Sequence, residues 1–172
     1  MIQTTLSAEA ALILDKDAIE RKMLRMAYEI YERNAGEKDI ILAGITDRGS
    51  TVARALKTKL KAITPFQITL VEIQLDKYNP LGAKLAENTD CNNKCVVVID
   101  DVANSGRTLF YGMRAFLDML PKRIQTAVLI DRMHKSFPVS VDYTGYRLST
   151  TLQEKVVVDM NEEQIKGAYL DE

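Results

Sequence analysis

An apolar run, two adjacent aspartates and a small polar loop follow one another in Val96-Val97-Val98-Ile99-Asp100-Asp101-Val102-Ala103-Asn104-Ser105-Gly106-Arg107-Thr108. The apolar run predicts a central strand of a parallel sheet that is covered on both faces. The loop leads into residues 108–120, where apolar residues recur at helical spacing. Because ligands of parallel α/β sheets bind at the carboxyl ends of the strands, this segment also predicts where a site lies.

The polar residues of this segment indicate what the site binds. Asp100 and Asp101 would repel a phosphate, but carboxylates accept hydrogen bonds from sugar hydroxyls, and a divalent cation nearby eases their charge. The start of the following helix offers free N–H groups to a phosphate. Ser105 and Thr108 add hydroxyl donors, and Gly106 lets the backbone come close. The pattern favours a sugar site beside a phosphate site.

Outward from this segment, apolar strands alternate with amphipathic helices. Such alternation predicts an α/β fold with a mostly parallel central sheet flanked by helices. The 172 residues suit one domain, 1–172. The predicted strands are 39–45, 67–75, 95–100 and 124–130, and the predicted helices are 17–34, 49–61 and 108–120. The apolar stripe of the last helix is Leu109, Met113, Phe116, Leu117 and Leu120.

Composition excludes several classes of protein. With 23 basic and 24 acidic residues, the net charge of −1 excludes a globally basic nucleic-acid coat. A hydrophobic share of 47% excludes low-complexity disorder, and no apolar run approaches the roughly 20 residues of a membrane span. The first residues lack a basic region and Asp15 interrupts their apolar stretch, so a cytoplasmic protein is expected. Cys91 and Cys95, with one histidine, cannot supply four zinc ligands and are expected to be reduced thiols.

Two further segments follow predicted strands. Gly44-Ile45-Thr46-Asp47-Arg48-Gly49 leads from a strand into a helix, and Arg48 suits an oxyanion, although a surface turn explains the segment as well. Residues 76–94 are long, polar and without periodicity. Loops of that length in a compact domain are typically either lids over a site or disordered segments, and the sequence does not decide between these two interpretations.

The aspartate pair and its loop resemble the phosphoribosyl pyrophosphate (PRPP) signature of type I phosphoribosyltransferases. The resemblance implies that Asp100 and Asp101 hold the ribose hydroxyls, with Mg²⁺ as cofactor and these carboxylates as possible metal ligands. It also implies a flap at 76–94, whose cation is Lys77 or Lys84 and which keeps water from the reaction. The implied phosphate-binding residues are Asn104, Ser105, Gly106, Arg107 and Thr108, and the implied pyrophosphate-binding residues are Thr46, Asp47, Arg48 and Gly49.

A second resemblance narrows the family. From Leu14 to Asp159 the chain resembles the bacterial PyrR family, which combines pyrimidine-operon attenuation with uracil phosphoribosyltransferase activity. The segment Val128-Leu129-Ile130-Asp131-Arg132-Met133-His134-Lys135-Ser136-Phe137-Pro138 resembles the hood that covers the base. This implies a hood at about 131–155, base binding by Arg132 and His134, a homo-oligomer, and the substrates PRPP and a nucleobase.

The base is expected to be uracil, giving UMP and pyrophosphate. Enzymes for 6-oxopurines in this superfamily usually have an aspartate where this chain has Asn104, and an amide cannot exchange the ring N7 proton. Asn104→Asp is then expected to leave the use of uracil little changed. A purine-salvage phosphoribosyltransferase is the same-fold alternative.

The other alternative is an RNA-binding regulator with weak catalysis. Arg54, Lys57 and Lys61 share one helix face and could meet RNA phosphates, or form an ordinary solvated face. Positions that resemble RNA-facing residues of the family are polar or basic there. RNA binding is therefore expected to be weak or absent, because here those positions include Leu24, Tyr28, Asp47, Ser140 and Tyr146.

Overall fold

The structure is a computed structural model that describes residues 4–151 and 153–171. Residues 1–3 and 172 of the predicted domain, and residue 152 of the predicted hood, lie outside the described residues. The strands are β1 (Ala11–Leu14), β2 (Asp39–Ile45), β3 (Gln67–Gln74), β4 (Lys84–Leu85), β5 (Cys95–Ala103), β6 (Arg123–Arg132), β7 (Tyr143–Leu148), β8 (Lys155–Met160) and β9 (Ile165–Asp171). The helices are α1 (Lys16–Arg33), α2 (Thr46–Ile63) and α3 (Arg107–Gly112), and 3-10 turns cover Pro80–Gly82 and Met113–Phe116.

Six strands form the central sheet in the order β4-β3-β2-β5-β6-β7. Only β4 runs antiparallel to its neighbour in this sheet, so the predicted mostly parallel sheet is confirmed. The middle strand β5 is buried from Cys95 to Asp101, as an apolar run covered on both faces requires. Its carboxyl end, and those of β2 and β6 beside it, therefore meet at one edge of the sheet.

Alternate residues of each central strand face two separate cores. On one face, α1 and α2 pack over Leu42, Val97 and Leu129, while on the other face Phe116 packs with Val98 and Val128. The N-terminus of α1 is fixed by Asp15, whose Oδ1 accepts the Ala18 N–H at 2.7 Å. The helices thus cover both sides of the sheet and leave its carboxyl edge open. Among the described helices, none is long and apolar enough to cross a membrane.

The third predicted helix is shorter than expected. It was predicted over 108–120, but α3 ends at Gly112 and continues as the 3-10 turn Met113–Phe116. Leu117 and Leu120, predicted to lie on its apolar stripe, are 73% and 83% exposed. At Gly112 a Cβ would lie 2.9 Å from Ile45 Cδ1, so the helix approaches β2 too closely for a larger residue. Beyond the 3-10 turn the chain is no longer helical, so residues at helical spacing no longer share one buried face.

A second, three-stranded antiparallel sheet has the order β1-β9-β8. It does not coincide with the hood predicted at about 131–155, because Tyr143–Leu148 in that range is the edge strand β7 of the central sheet. The small sheet instead joins the two ends of the chain, and Ala11 pairs with Leu170. Local sequence patterns identify a strand but not the sheet that it joins, since pairing is decided by tertiary packing.

Cys91 and Cys95 are both free and buried, in agreement with the predicted thiols. Burial raises the pKa of both thiols, so they stay protonated at neutral pH.

Candidate active site

A cavity of about 540 Å³ opens at the carboxyl edge of the central sheet, where β5 ends and α3 begins. Its position is the one that the strand-end rule predicts for a ligand. All of the residues predicted to bind the sugar and its phosphate line this cavity. The lining residues are Thr4, Thr5, Arg48, Lys77, 100–109 and 155–157.

The aspartate pair occupies the floor of the cavity and is nearly inaccessible, with Asp100 1% and Asp101 5% exposed. Two cations face it from different elements. Arg48 Nε lies 2.7 Å from Asp101 Oδ2, and Lys77 Nζ lies 4.0 Å from Asp100 Oδ1. Asp100 Oδ1 also accepts the Asp101 N–H at 2.9 Å. These contacts hold both carboxyl groups in place at the floor of the cavity.

The Asp100 carboxyl holds its proton unusually strongly. Burial first, and the neighbouring charge of Asp101 second, raise the pKa of Asp100 to about 8, while Lys77 acts in the opposite direction. At neutral pH the carboxyl is therefore mostly protonated. Positive charge placed beside it by a ligand would favour its ionised form, so the group responds to what the cavity contains.

The loop after the pair is shaped for close approach of a ligand. Gly106 has φ +83°, a left-handed conformation that glycine adopts without strain. The Ser105 C=O accepts the N–H groups of Ser136 and Phe137, which ties the loop to the segment after β6. Residues 104–108 all line the cavity, so the predicted phosphate-binding residues Asn104, Ser105, Gly106, Arg107 and Thr108 are brought together.

The second predicted loop contributes one of its four residues to the cavity. Arg48 lines it, whereas Thr46, Asp47 and Gly49 are not among the described lining residues. Thr46 Oγ1 donates to the Leu75 C=O at 3.3 Å, and Asp47 faces a separate cavity of about 410 Å³. Asp47 also has φ +25°, a strained conformation for a residue with a side chain.

Gly49 has a structural role beside this loop. A Cβ at Gly49 would lie 2.5 Å from the Ile99 C=O and 3.2 Å from Asp100 Cα. Only glycine lets the first turn of α2 pack directly against the end of β5. This contact places Arg48 next to the aspartate pair.

The predicted flap places one of its two candidate cations in the site. Lys77 faces Asp100, and its C=O accepts a hydrogen bond from Arg107 Nη1 at 3.5 Å. Lys84 lies in β4 and lines a different cavity with Arg114 and Asp118. Of the two candidate cations, Lys77 is therefore the one that lies beside the aspartate pair.

The two residues predicted to bind the base do not line the cavity in the described part of the chain. His134 is exposed in the loop after β6. Arg132 donates from Nη1 to Asn104 Oδ1 at 3.1 Å, from Nε to Thr150 Oγ1 at 2.7 Å and from Nη2 to the Thr151 C=O at 3.0 Å. Arg132 is therefore one side chain away from the cavity, behind Asn104.

Other residues of the cavity wall were not predicted from the sequence. Lys155, Val156 and Val157 come from the start of β8, and Thr4 lies beside them because its Oγ1 is 3.5 Å from the Val158 C=O. They meet the cavity only because the small sheet packs beside β5. A basic residue before the apolar run of β8 is the one local signal, and many surface strands share it.

The donor set suits a divalent cation only in part. The described residues hold no cluster of three or more His, Cys, Asp or Glu side chains, and Asp101 Oδ2 is already paired with Arg48. Mg²⁺ is commonly held by one or two carboxylates together with substrate phosphates and water. Asp100 and Asp101 fit that arrangement, in which most of the ligands come from the substrate.

Comparison with known proteins gives two consistent results. The family model described as phosphoribosyl transferase domain matches residues 10–163. The Bifunctional protein PyrR of Bacillus pumilus (strain SAFR-032) is 37% identical over 166 residues, which cover 90% of this chain and 92% of that protein. The protein of the same name from Bacillus subtilis (strain 168) is 36% identical over 166 residues, with coverages of 90% and 92%.

Solved structures share the fold at low identity. The hypoxanthine phosphoribosyltransferase of Trypanosoma cruzi has a TM-score of 0.79 at 15% identity and covers 93% of this chain and 95% of its own. A hypoxanthine-guanine phosphoribosyltransferase from Bacillus anthracis has a TM-score of 0.76 at 18% identity, with coverages of 98% and 99%. At these identities the likeness shows the fold alone.

Proposed function

Because this chain belongs to the phosphoribosyl transferase domain family, and within it to the PyrR group, we propose that it transfers 5-phosphoribosyl from PRPP to uracil, giving UMP and pyrophosphate. The observation that carries the proposal is that one cavity joins an aspartate pair to a glycine-containing phosphate loop. Asp100, Asp101 and residues 104–108 line the same space of about 540 Å³. That combination suits a sugar phosphate.

In this reaction the loop binds the 5-phosphate of PRPP. Backbone N–H groups after Gly106 and the hydroxyls of Ser105 and Thr108 donate to its oxygens. Asp100 and Asp101 accept hydrogen bonds from the ribose hydroxyls. The phosphate and the hydroxyls together fix C1 of the ribose above the pair, which positions the reacting carbon.

The leaving pyrophosphate lies toward the cations of the cavity. Arg48 and Lys77 face this space from α2 and from the flap, and each supplies positive charge to the departing group. Asp100 and Asp101 would hold Mg²⁺ together with the substrate, and the ion would supply positive charge that makes pyrophosphate a better leaving group. The bond from C1 to pyrophosphate breaks with its electron pair going to pyrophosphate, and the bond from C1 to N1 of uracil forms. The departing pyrophosphate takes up the N1 proton.

Positive charge develops on the ribose while the bond at C1 loosens. The carboxylates of Asp100 and Asp101 stabilise that charge, and the flap at 76–94 keeps water away from it. Uracil suits the site because Asn104 hydrogen-bonds to the base but transfers no proton at any useful pH. A 6-oxopurine lacks the aspartate partner that its N7 usually finds in this superfamily.

The proposal is tested by measuring kcat/KM for a panel of free bases, each assayed with labelled PRPP and Mg²⁺. The expected result is a higher kcat/KM for uracil than for hypoxanthine or guanine. A higher value for either purine would reject uracil and favour purine salvage. Loss of all turnover when PRPP is replaced by ribose 5-phosphate serves as the control, since that compound carries no leaving pyrophosphate.

A further inference from the structure

The guanidinium of Arg132 is held on three sides. It donates to Asn104 Oδ1 at 3.1 Å, to Thr150 Oγ1 at 2.7 Å and to the Thr151 C=O at 3.0 Å. These partners belong to the phosphate loop and to the segment after β7, so Arg132 bridges the end of β6 to both. A planar donor fixed by three acceptors has little freedom to turn.

This contact decides how the side chain of Asn104 is oriented. An arginine can only donate hydrogen bonds, so the Asn104 atom that faces it must be the amide oxygen. The nitrogen Nδ2 and its two N–H donors are left for another partner. Asn104 is exposed and lines the cavity, whereas Arg132 is not among the described residues of the cavity wall.

We infer that Arg132 is a positioning residue that makes Asn104 a hydrogen-bond donor toward the base. Arg132 and Asn104 together then select bases that present a carbonyl oxygen to the Asn104 amide. The inference rests on the proposed function and names how the base is chosen. Uracil offers carbonyl oxygens at C2 and C4. A neutral 6-oxopurine that reacts through N9 carries its proton on N7, so it would place an N–H group against the N–H donors of Asn104.

The contact also revises an expectation from the sequence. Asn104→Asp was expected to leave the use of uracil little changed, because Asn104 transfers no proton. With the guanidinium behind it, an aspartate at 104 would form an ion pair and turn an acceptor toward the base. The variant should therefore lower kcat/KM for uracil relative to hypoxanthine, by about fivefold to tenfold for one lost hydrogen bond.

A titration that needs no turnover separates base recognition from phosphate binding. UMP and ribose 5-phosphate are titrated into the full chain and into Asn104→Ala by calorimetry. We expect Asn104→Ala to weaken the binding of UMP by about fivefold to tenfold and that of ribose 5-phosphate by less than twofold. Only UMP carries a base, and on this proposal the phosphate is held by backbone N–H groups and by the hydroxyls of Ser105 and Thr108, not by the side chain of Asn104. Equal weakening of both ligands, or no change in either, would overturn the inference.

Two variants at 132 test the positioning role. Arg132→Met removes the guanidinium donor and lets the Asn104 amide turn. The affinity for UMP should therefore fall, while the affinity for ribose 5-phosphate should not. Arg132→Lys keeps a group that can only donate, so it should restore UMP binding toward the wild-type value. If Arg132→Lys binds UMP no more tightly than Arg132→Met does, the positioning role of Arg132 is overturned. The panel of bases judges the proposed function separately, since a wild type that prefers purines rejects uracil whatever these titrations show.

Discussion

Arg48 and Asp101 form a hydrogen-bonded ion pair in which Nε lies 2.7 Å from Oδ2. The same guanidinium donates through Nη2 to the Val158 C=O. One side chain therefore joins the first turn of α2, the end of β5 and the small sheet at the wall of the cavity. The side chains of Arg48 and Asp101 are only 24% and 7% exposed, so solvent and salt screen the pair weakly.

Replacing Arg48 should weaken the use of PRPP. We expect Arg48→Ala to lower kcat/KM for PRPP by about tenfold to a hundredfold, the usual effect of losing a hydrogen bond to a charged group. Arg48→Lys should recover only part of this loss, because an ammonium cannot reproduce the fixed fork that reaches Asp101 and Val158. Steady-state kinetics with PRPP as the varied substrate measure the effect.

Arg114→Ala is the matched control, since Arg114 is exposed and lines a different cavity. Kinetic constants within twofold of wild type are expected there. Full activity of Arg48→Ala would contradict the place of Arg48 in the site.

Replacing both aspartates by asparagine should remove most turnover while the fold stays intact. Amides still hydrogen-bond to hydroxyls but supply no negative charge to the developing cation. The expected loss in kcat is on the order of 10²–10³, as at other preorganised charged sites. Turnover is measured with a circular-dichroism spectrum of the same sample. Near wild-type rates for the double variant Asp100→Asn with Asp101→Asn, together with a native spectrum, would contradict the role of the two aspartates in the reaction.

The parts of the fold that sequence predicts well are those with a local signal. The strand predicted at 39–45 is found as Asp39–Ile45, and the helix predicted at 17–34 is α1 within one residue at each end. The small sheet escaped prediction, because β1 and β9 are at opposite ends of the chain and pair only through tertiary packing. Hydrophobic periodicity likewise did not foresee that α3 ends at Gly112.

The same distinction applies to the site. Asp100 and residues 104–108 belong to one contiguous segment, 100–108, so a single strand-loop-helix pattern predicts where they meet. Lys155 reaches the cavity from a distant strand, and no spacing reveals it. Arg132 is predicted from the sequence to bind the base, and in the structure its three acceptors turn it toward Asn104 and away from the cavity. Hydrogen-bond partners of a long side chain depend on tertiary structure.

Gly49 is predicted to be intolerant of even one added methyl group. Its Cβ would lie 2.5 Å from the backbone oxygen of Ile99, so α2 or β5 must shift in Gly49→Ala. We expect the free energy of unfolding to fall by about 1–3 kcal/mol, the usual cost of overpacking. Urea unfolding of Gly36→Ala is the control, because nothing lies within 4 Å of a Cβ at Gly36. Equal stabilities of the two variants would contradict the close packing.

RNA attenuation is predicted to be weak or absent. Leu24 and Tyr28 place exposed apolar side chains where the family resemblance expects RNA-facing residues. Arg54, one of the candidate RNA-binding cations, donates to the Glu162 C=O and shares a cavity with Glu162 and Glu163. Neutral or acidic residues near RNA phosphates release no counterions, so affinity in the non-specific range of about 10⁻⁴–10⁻⁶ M is expected at physiological salt.

A gel-shift titration against salt measures this affinity, with RNA from the chain's own pyrimidine operon and a scrambled RNA of equal length as control. Similar, weak binding of both RNAs is the expected result. Sub-micromolar binding that favours the operon RNA would overturn the prediction and promote the regulator with weak catalysis.

The fold should become less stable as pH rises, because Asp100 then loses a proton that it holds more tightly in the folded chain than in the unfolded chain. Burial first, and the charge of Asp101 second, raise the pKa of this carboxyl from 3.8 to about 8. Between these values the folded chain holds a proton that the unfolded chain has lost. The stability that this proton contributes is therefore complete below about pH 4 and is lost as pH rises toward 8, by at most about 1.4 kcal/mol per pH unit. Asp100→Asn cannot ionise, so this decline should disappear in the variant.

Urea unfolding in EDTA at pH 5 and pH 8 measures this difference. Relative to wild type, Asp100→Asn should gain stability at the higher pH, whereas the exposed control Asp118→Asn should follow the wild type. If wild type and Asp100→Asn change equally between the two pH values, the carboxyl is already ionised in the folded protein.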